Sequence, residues 1–100
     1  MKVRFTPSAR TSFLHAIEFN CHQDRPMAAE RFRRKCEDAL RRLEEFPESG
    51  RMIPEFPELP HREVIVRPYR FFYRTSGDSV WIVAVWHGAQ LADSPREDDF

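Results

Sequence analysis

The segment from His61 to Gly88 constrains the fold more than any other part of the chain. It concentrates β-branched and aromatic residues, which suit pleated surfaces, and is interrupted at Pro68 and again at Ser76-Gly77-Asp78-Ser79. These interruptions predict three short strands in an antiparallel meander. A residue before proline is biased away from helix and proline cannot donate to a ladder, so Arg67-Pro68 is expected to be a tight connection. Gly77, able to take a positive φ, supplies the second turn.

Register decides which side chains share a face. With Thr75 opposite Val80, strict alternation sets Arg74 against Trp81, Phe72 against Val83 and Arg70 against Val85. That face is expected to be partly open, with its two arginines, aromatic surface and His87 at its end. Tyr69, Phe71, Tyr73, Ile82, Ala84 and Trp86 then form the core side. Trp81, Val83 and Val85 are as apolar as their neighbours, so burial of the last strand on both faces stays open.

Ahead of the meander the hydrophobic period changes from two to 3.6. Val3 and Phe5 alternate with Lys2 and Arg4 as an opening strand. Thr6 is suited to cap a helix whose first position is Pro7, and Ala9, Phe13, Ala16, Ile17 and Asn20 or Cys21 recur on one face, predicting a helix from about Ser8 to Gln23. Asp24 and Pro26 open a second helix with an apolar stripe through Ala29, Phe32, Cys36, Ala39 or Leu40, Leu43 and Phe46. Charged residues fill its other faces, which are expected to be solvated. Pro47 stops it, and the run Glu48 to Pro60 is too rich in proline for regular structure. Loops of that length usually wrap a surface or serve function, which draws attention to Arg51, Glu55, Phe56 and Leu59. The expected fold is α+β: an N-terminal strand, then a two-helix hairpin packed on a small, mainly antiparallel sheet. The whole chain, 1–100, is expected to form one domain, with the acidic stretch 89–100 fraying as a tail.

Composition excludes several classes of function. At 100 residues, 41% of them hydrophobic and 32% charged, the chain suits one folded domain with a single core. No apolar run approaches the ~20 residues that span a bilayer, and the first residues lack the apolar segment of a signal peptide, so a cytoplasmic protein without membrane association is expected. A formal net charge of zero argues against a general polyanion binder, although Arg62, Arg67, Arg70 and Arg74 make the meander basic against Glu63. Cys21 and Cys36 fall in predicted helices with no CxxC spacing, which favours reduced thiols over a disulfide.

No glycine-rich phosphate loop, GxSxG or HExxH is present, and the histidines and cysteines lack paired zinc-ligand spacing, so neither cofactor nor metal is expected. The residues suited to acid–base chemistry are Glu63, Arg70, Arg74 and His87, the last with an ordinary pKa near neutrality. Against this stands the structural alternative, a histidine that merely closes a strand and an Arg74 that stacks on Trp81.

Phe46-Pro-Glu-Ser-Gly-Arg51, Arg62-Glu-Val64, Arg67-Pro-Tyr-Arg-Phe-Phe-Tyr-Arg74, Gly77-Asp-Ser-Val80 and Val85-Trp-His-Gly88, in that order, resemble the RelE/ParE superfamily of type II toxin–antitoxin toxins. The resemblance covers residues 2 to 88. It implies a growth-inhibiting toxin that serves plasmid or chromosomal stability and is held inactive by a cognate antitoxin, as a homodimer or a hetero-oligomer with it. Two branches exist. RelE-like members cleave mRNA on the ribosome; here Arg70 matches the arginine that opens the Arg-x-x-Tyr strand, His87 falls near the terminal site, and Glu63 completes the candidate catalytic set. The lysine cluster of that branch is missing. ParE-like members inhibit DNA gyrase and are similar in their Val-x-His-Gly strand end, though Ala89 and Gln90 stand where many carry basic residues. The missing lysines and the neutral chain favour the ParE-like branch. Arg67, Arg70, Phe72, Arg74 and Trp81 are then the candidate antitoxin- or target-binding residues. A chain that has lost toxicity and only binds antitoxin is the third alternative.

Overall fold

Thr6 joins the first strand to the first helix and shows how the opening of the chain folds. Its N–H donates to the Ile82 carbonyl at 3.0 Å, extending a strand ladder, while its Oγ1 accepts from the Ala9 N–H at 3.3 Å and caps the helix. In this computed structural model, which describes residues 1–21 and 26–88 and only the backbone of Asn20, Cys21 and Pro26, strand β1 (Lys2–Phe5) is followed by helices α1 (Pro7–Cys21) and α2 (Pro26–Glu45). Strands β2 (Arg51–Met52), β3 (Arg62–Val66), β4 (Tyr69–Ser76) and β5 (Ser79–His87) complete the chain. The expected cap Asp24, the helix end at Gln23 and the acidic tail lie outside the described residues.

The five strands form one sheet in the order β1-β5-β4-β3-β2. The meander is antiparallel throughout, and β1 joins its far side parallel to β5, with Val3 opposite Val80 and Phe5 opposite Ile82. Both helices cover one face. Ala9 and Ala16 of α1, Phe32, Cys36 and Leu43 of α2, and Val66, Phe71, Tyr73, Val80 and Ile82 of the sheet form the main buried cluster. Aromatic rings knit the layers: Phe13 lies 5.2 Å from Phe5 and 5.8 Å from Phe71, and Phe32 lies 5.3 Å from Tyr69. The α2 stripe ends one turn early, because the helix stops at Glu45 and Phe46 is exposed rather than buried. Cys36 is a buried free thiol whose pKa burial, and then the nearby Glu37 charge, push up to about 12.

The sheet's other face has no helix over it among the described residues. Part of it is covered by the proline-rich segment, where Ile53 joins Phe72 and Val83 in a buried cluster against which Phe56, Trp81, Ala84 and Trp86 pack. This segment is not wholly irregular, since Arg51–Met52 pairs antiparallel with Arg62–Glu63 of β3. Gly50 makes that approach feasible. Its N–H donates to Tyr73 Oη at 2.9 Å, and a Cβ at this position would stand 2.5 Å from the same oxygen.

The register of β4 against β5 departs from simple alternation. Ser76 to Tyr73 pair as expected with Ser79 to Ile82, in a turn where Gly77 has φ 61°, but a bulge between Phe72 and Tyr73 then shifts the ladder. Phe72 therefore pairs with Ala84, Phe71 with Val85, Arg70 with Trp86 and Tyr69 with His87. The consequence is a change of face. Val85 joins the helix side, Ala84 and Trp86 leave it, and Phe72 is fully buried beneath Ile53 instead of lying open.

Candidate functional site

Glu63 is the centre of a charged cluster on the helix-free face. Its side chain is 0% exposed, a position in which a carboxylate persists only with partners. Two strands supply them. Arg51 sits directly across on β2 and donates from Nε to Glu63 Oε1 at 2.9 Å. Arg70 sits diagonally on β4, where side chains two residues apart share a face, and donates from Nε to Glu63 Oε2 at 2.7 Å.

Arg70 also holds the proline-rich segment. Its Nη1 and Nη2 donate to the two oxygens of Glu55 at 2.7 and 2.8 Å, and Nη2 reaches Glu63 Oε1 at 3.1 Å. The guanidinium is 12% exposed, lies 5.1 Å from the Phe72 ring centroid, and has its pKa raised further by Glu55 and then Glu63. The same fork of hydrogen bonds holds the Glu55 carboxyl down to about 2. Two cations and two carboxylates thus cancel, and this part of the sheet carries no surplus charge.

Beside the cluster a cleft of about 590 Å³ opens at the Arg67-Pro68 connection, a cis peptide. Arg51, Glu55 and Arg70 line it, together with Ile65, Arg67, Tyr69 and His87. The Gly88 N–H donates to the Pro68 carbonyl at 2.6 Å and closes one end. His87 does not lie on the face of Arg70. Its register partner is Tyr69, whose ring it meets edge-on at 5.4 Å, so it belongs to the helix side of the sheet and reaches the cleft from there.

The candidate residues are therefore divided. Glu63 and Arg70 are joined directly, Arg67 and His87 stand exposed at the cleft, and Arg74 lies opposite Trp81 at the other end of the face. Phe72 is beneath the surface. Glu55 and Arg51, which complete the cluster, belong to the loop that the sequence singled out, but nothing in their spacing tied them to Arg70. Among the described residues no group of three histidines, cysteines or carboxylates could hold a metal, and no helix is long and apolar enough to cross a membrane.

Fold and site together describe a small α+β domain with helices on one face of its sheet and a polar cleft at the Arg67-Pro68 connection. A family model, ParE toxin of type II toxin-antitoxin system, parDE, matches residues 3–92, and the chain belongs to this family, within the RelE/ParE superfamily. It is thus a type II toxin, and the family implies a cognate antitoxin as partner. A search against curated proteins finds no match.

Proposed function

We propose that this toxin inhibits DNA gyrase and does not cleave RNA. The supporting observation is the state of Arg70, whose three guanidinium nitrogens all donate to Glu55 or Glu63. An arginine that stabilises charge on a scissile phosphate must present its donors to that phosphate. Here the donors serve the fold. His87, the imidazole at the cleft, pairs with Tyr69 and projects from the opposite side of the sheet, which supports a reading in which it and Arg70 do not act as one catalytic pair. Growth inhibition and plasmid stabilisation by a cytoplasmic toxin follow from this reading. The antitoxin would relieve it by laying an acidic, partly apolar segment into the cleft at Arg67 and Ile65.

One feature favours the second reading, ribosome-dependent cleavage of mRNA: His87, Arg51 and Arg67 share a single cleft. The two are separated by one pair of assays. Purified protein should block supercoiling by gyrase or trap cleaved DNA, with His87→Ala unchanged, while programmed ribosomes yield no new RNA ends. Ribosome-dependent cleavage abolished by His87→Ala would overturn the proposal.

A further inference from the structure

We propose that one exposed flank of helix α2 is a docking surface for the phosphate backbone of duplex DNA, formed by Arg31, Arg34, Lys35 and Arg42. At 3.6 residues per turn the charges of this helix segregate. Arg31, Lys35 and Arg42 recur at spacings of four and seven on one flank, with Arg34 beside them on the outermost line of the helix. Glu30, Glu37 and Glu44 recur every seven residues on the other flank, beside Arg33. The ion pairs follow that division. Arg33 donates to Glu30 at 2.8 Å and to Glu37 at 2.7 Å, so it is engaged within its own flank, and Asp38, the carboxylate that falls in the basic row, is met by Arg41 at 3.3 Å. Arg31, Arg34, Lys35 and Arg42 are all exposed, and none has a carboxylate partner among the described residues. Glu45 lies one turn beyond Arg42, so the surplus of positive charge is greatest between Arg31 and Lys35.

What the row lacks identifies its occupant. Between Arg31 and Arg42 every apolar residue faces the core: Phe32 and Cys36 are buried in it, and Ala39 and Leu40 pack against it. An acidic peptide would find no apolar seat for its own side chains here, and a membrane surface would need the apolar stripe that the core already holds. A polyanion bound through its charges alone has neither requirement. The row is also straight, spanning about 16 Å of helix axis from Arg31 to Arg42, or roughly five phosphate steps along one strand of a duplex. A rigid line of cations suits a rigid line of phosphates, and the row exposes no aromatic ring on which an unpaired base could stack. The zero net charge of the chain does not oppose this, because the number of cations that face the phosphates sets such binding. The choice of DNA rests on the gyrase reading, since duplex DNA is the substrate of that target, but the contact itself requires no gyrase.

The test uses the purified full chain and a fluorescein-labelled 20-base-pair DNA of mixed sequence, with neither gyrase nor antitoxin present, so its outcome is read separately from any supercoiling assay. Anisotropy at 50 mM salt should report binding, and the slope of log affinity against log salt should be about −3, as expected for roughly three or four phosphates neutralised on a duplex. Arg31→Gln, Arg34→Gln and Lys35→Gln should each reduce that slope by about 1 and weaken binding by about 10-fold at this salt, with thermal melts unchanged. Arg33→Gln removes the same charge from the opposite flank and should leave the slope as it is. A single-stranded 20-mer, whose phosphates are not held in line, should bind more weakly than the duplex. No binding at about 0.1 mM protein, the weak limit of non-specific DNA binding, would overturn the proposal. So would equal changes of slope in Arg33→Gln and Arg34→Gln, which would report net charge and not the row, or a single strand or an RNA duplex bound more tightly than the DNA. A glutamate-rich 12-mer peptide that binds as tightly as the duplex and is weakened by Arg34→Gln would overturn it as well, because the flank would then be a protein-docking surface.

Discussion

At the scale of single residues, Arg70 is the side chain whose removal the molecule should tolerate least on its polar face. Arg70→Ala leaves the fully buried Glu63 with Arg51 alone and cuts the tether to Glu55, and breaking a buried pair in this way costs about 3–5 kcal/mol. Urea denaturation should show that loss. Arg70→Lys should recover little of it, because an ammonium cannot make the forked contacts with two carboxylates. A large loss of stability in Arg70→Ala would mean that any loss of toxicity in the same variant reports on folding and not on chemistry. Glu55 adds a pH dependence of known sign. Its carboxyl, ordinarily near 4.5, is held at about 2 in the folded protein, so its contribution is complete above pH 4.5 and disappears as pH falls through 2. With 41% of the side chain exposed the effect is screened and amounts to about 1 kcal/mol or less. Denaturation midpoints measured between pH 5 and pH 2 should converge for the wild type and Glu55→Gln as the pH drops.

At the scale of elements, α2 is held by its stripe and not by its charges. Phe32 is buried against Tyr69 and the rest of the main cluster, whereas Arg34 is exposed. Phe32→Asp should abolish the folded state, since it inserts a charge without a partner into the core, and Arg34→Asp should stay within ~0.5 kcal/mol of the wild type. Thermal melts followed by circular dichroism distinguish the two outcomes. The same helix shows the limit of periodicity as a guide: Phe46 continues the repeat, but Pro47 ends the helix and leaves the ring in solvent. The proline-rich segment behaves as a strap. Gly50 brings it against Tyr73, Ile53 and Phe56 cover Phe72, and Glu55 fastens it to Arg70.

At the scale of the whole molecule, one sheet separates two environments. Its helix side holds the main core, and its other side holds the strapped cluster around Phe72 and the paired charges of Arg51, Glu55, Glu63 and Arg70. The formal charge of zero does not reveal that Arg51 and Arg70 are paired with Glu55 and Glu63, which only the fold brings together.

The chain by itself determined the elements and their order. Pro7 and Pro26 open the helices, Pro47 and the cluster after it end the helical region, Gly77 makes a hairpin turn, and alternating Val3 and Phe5 mark a strand. These are local matters of dihedral freedom, capping and hydrophobic period, and they are written in neighbouring residues. Tertiary structure alone decided the faces beyond Tyr73. A one-residue bulge inverts every side chain that follows, and β5, apolar at both parities, holds no signal that could have placed it. That shift sends His87 away from Arg70, and closure of the strap across twelve to fifteen residues brings Arg51 to Glu63 and Glu55 to Arg70. Contacts of such separation depend on how the sheet and loop pack in three dimensions, which no local pattern in the sequence records.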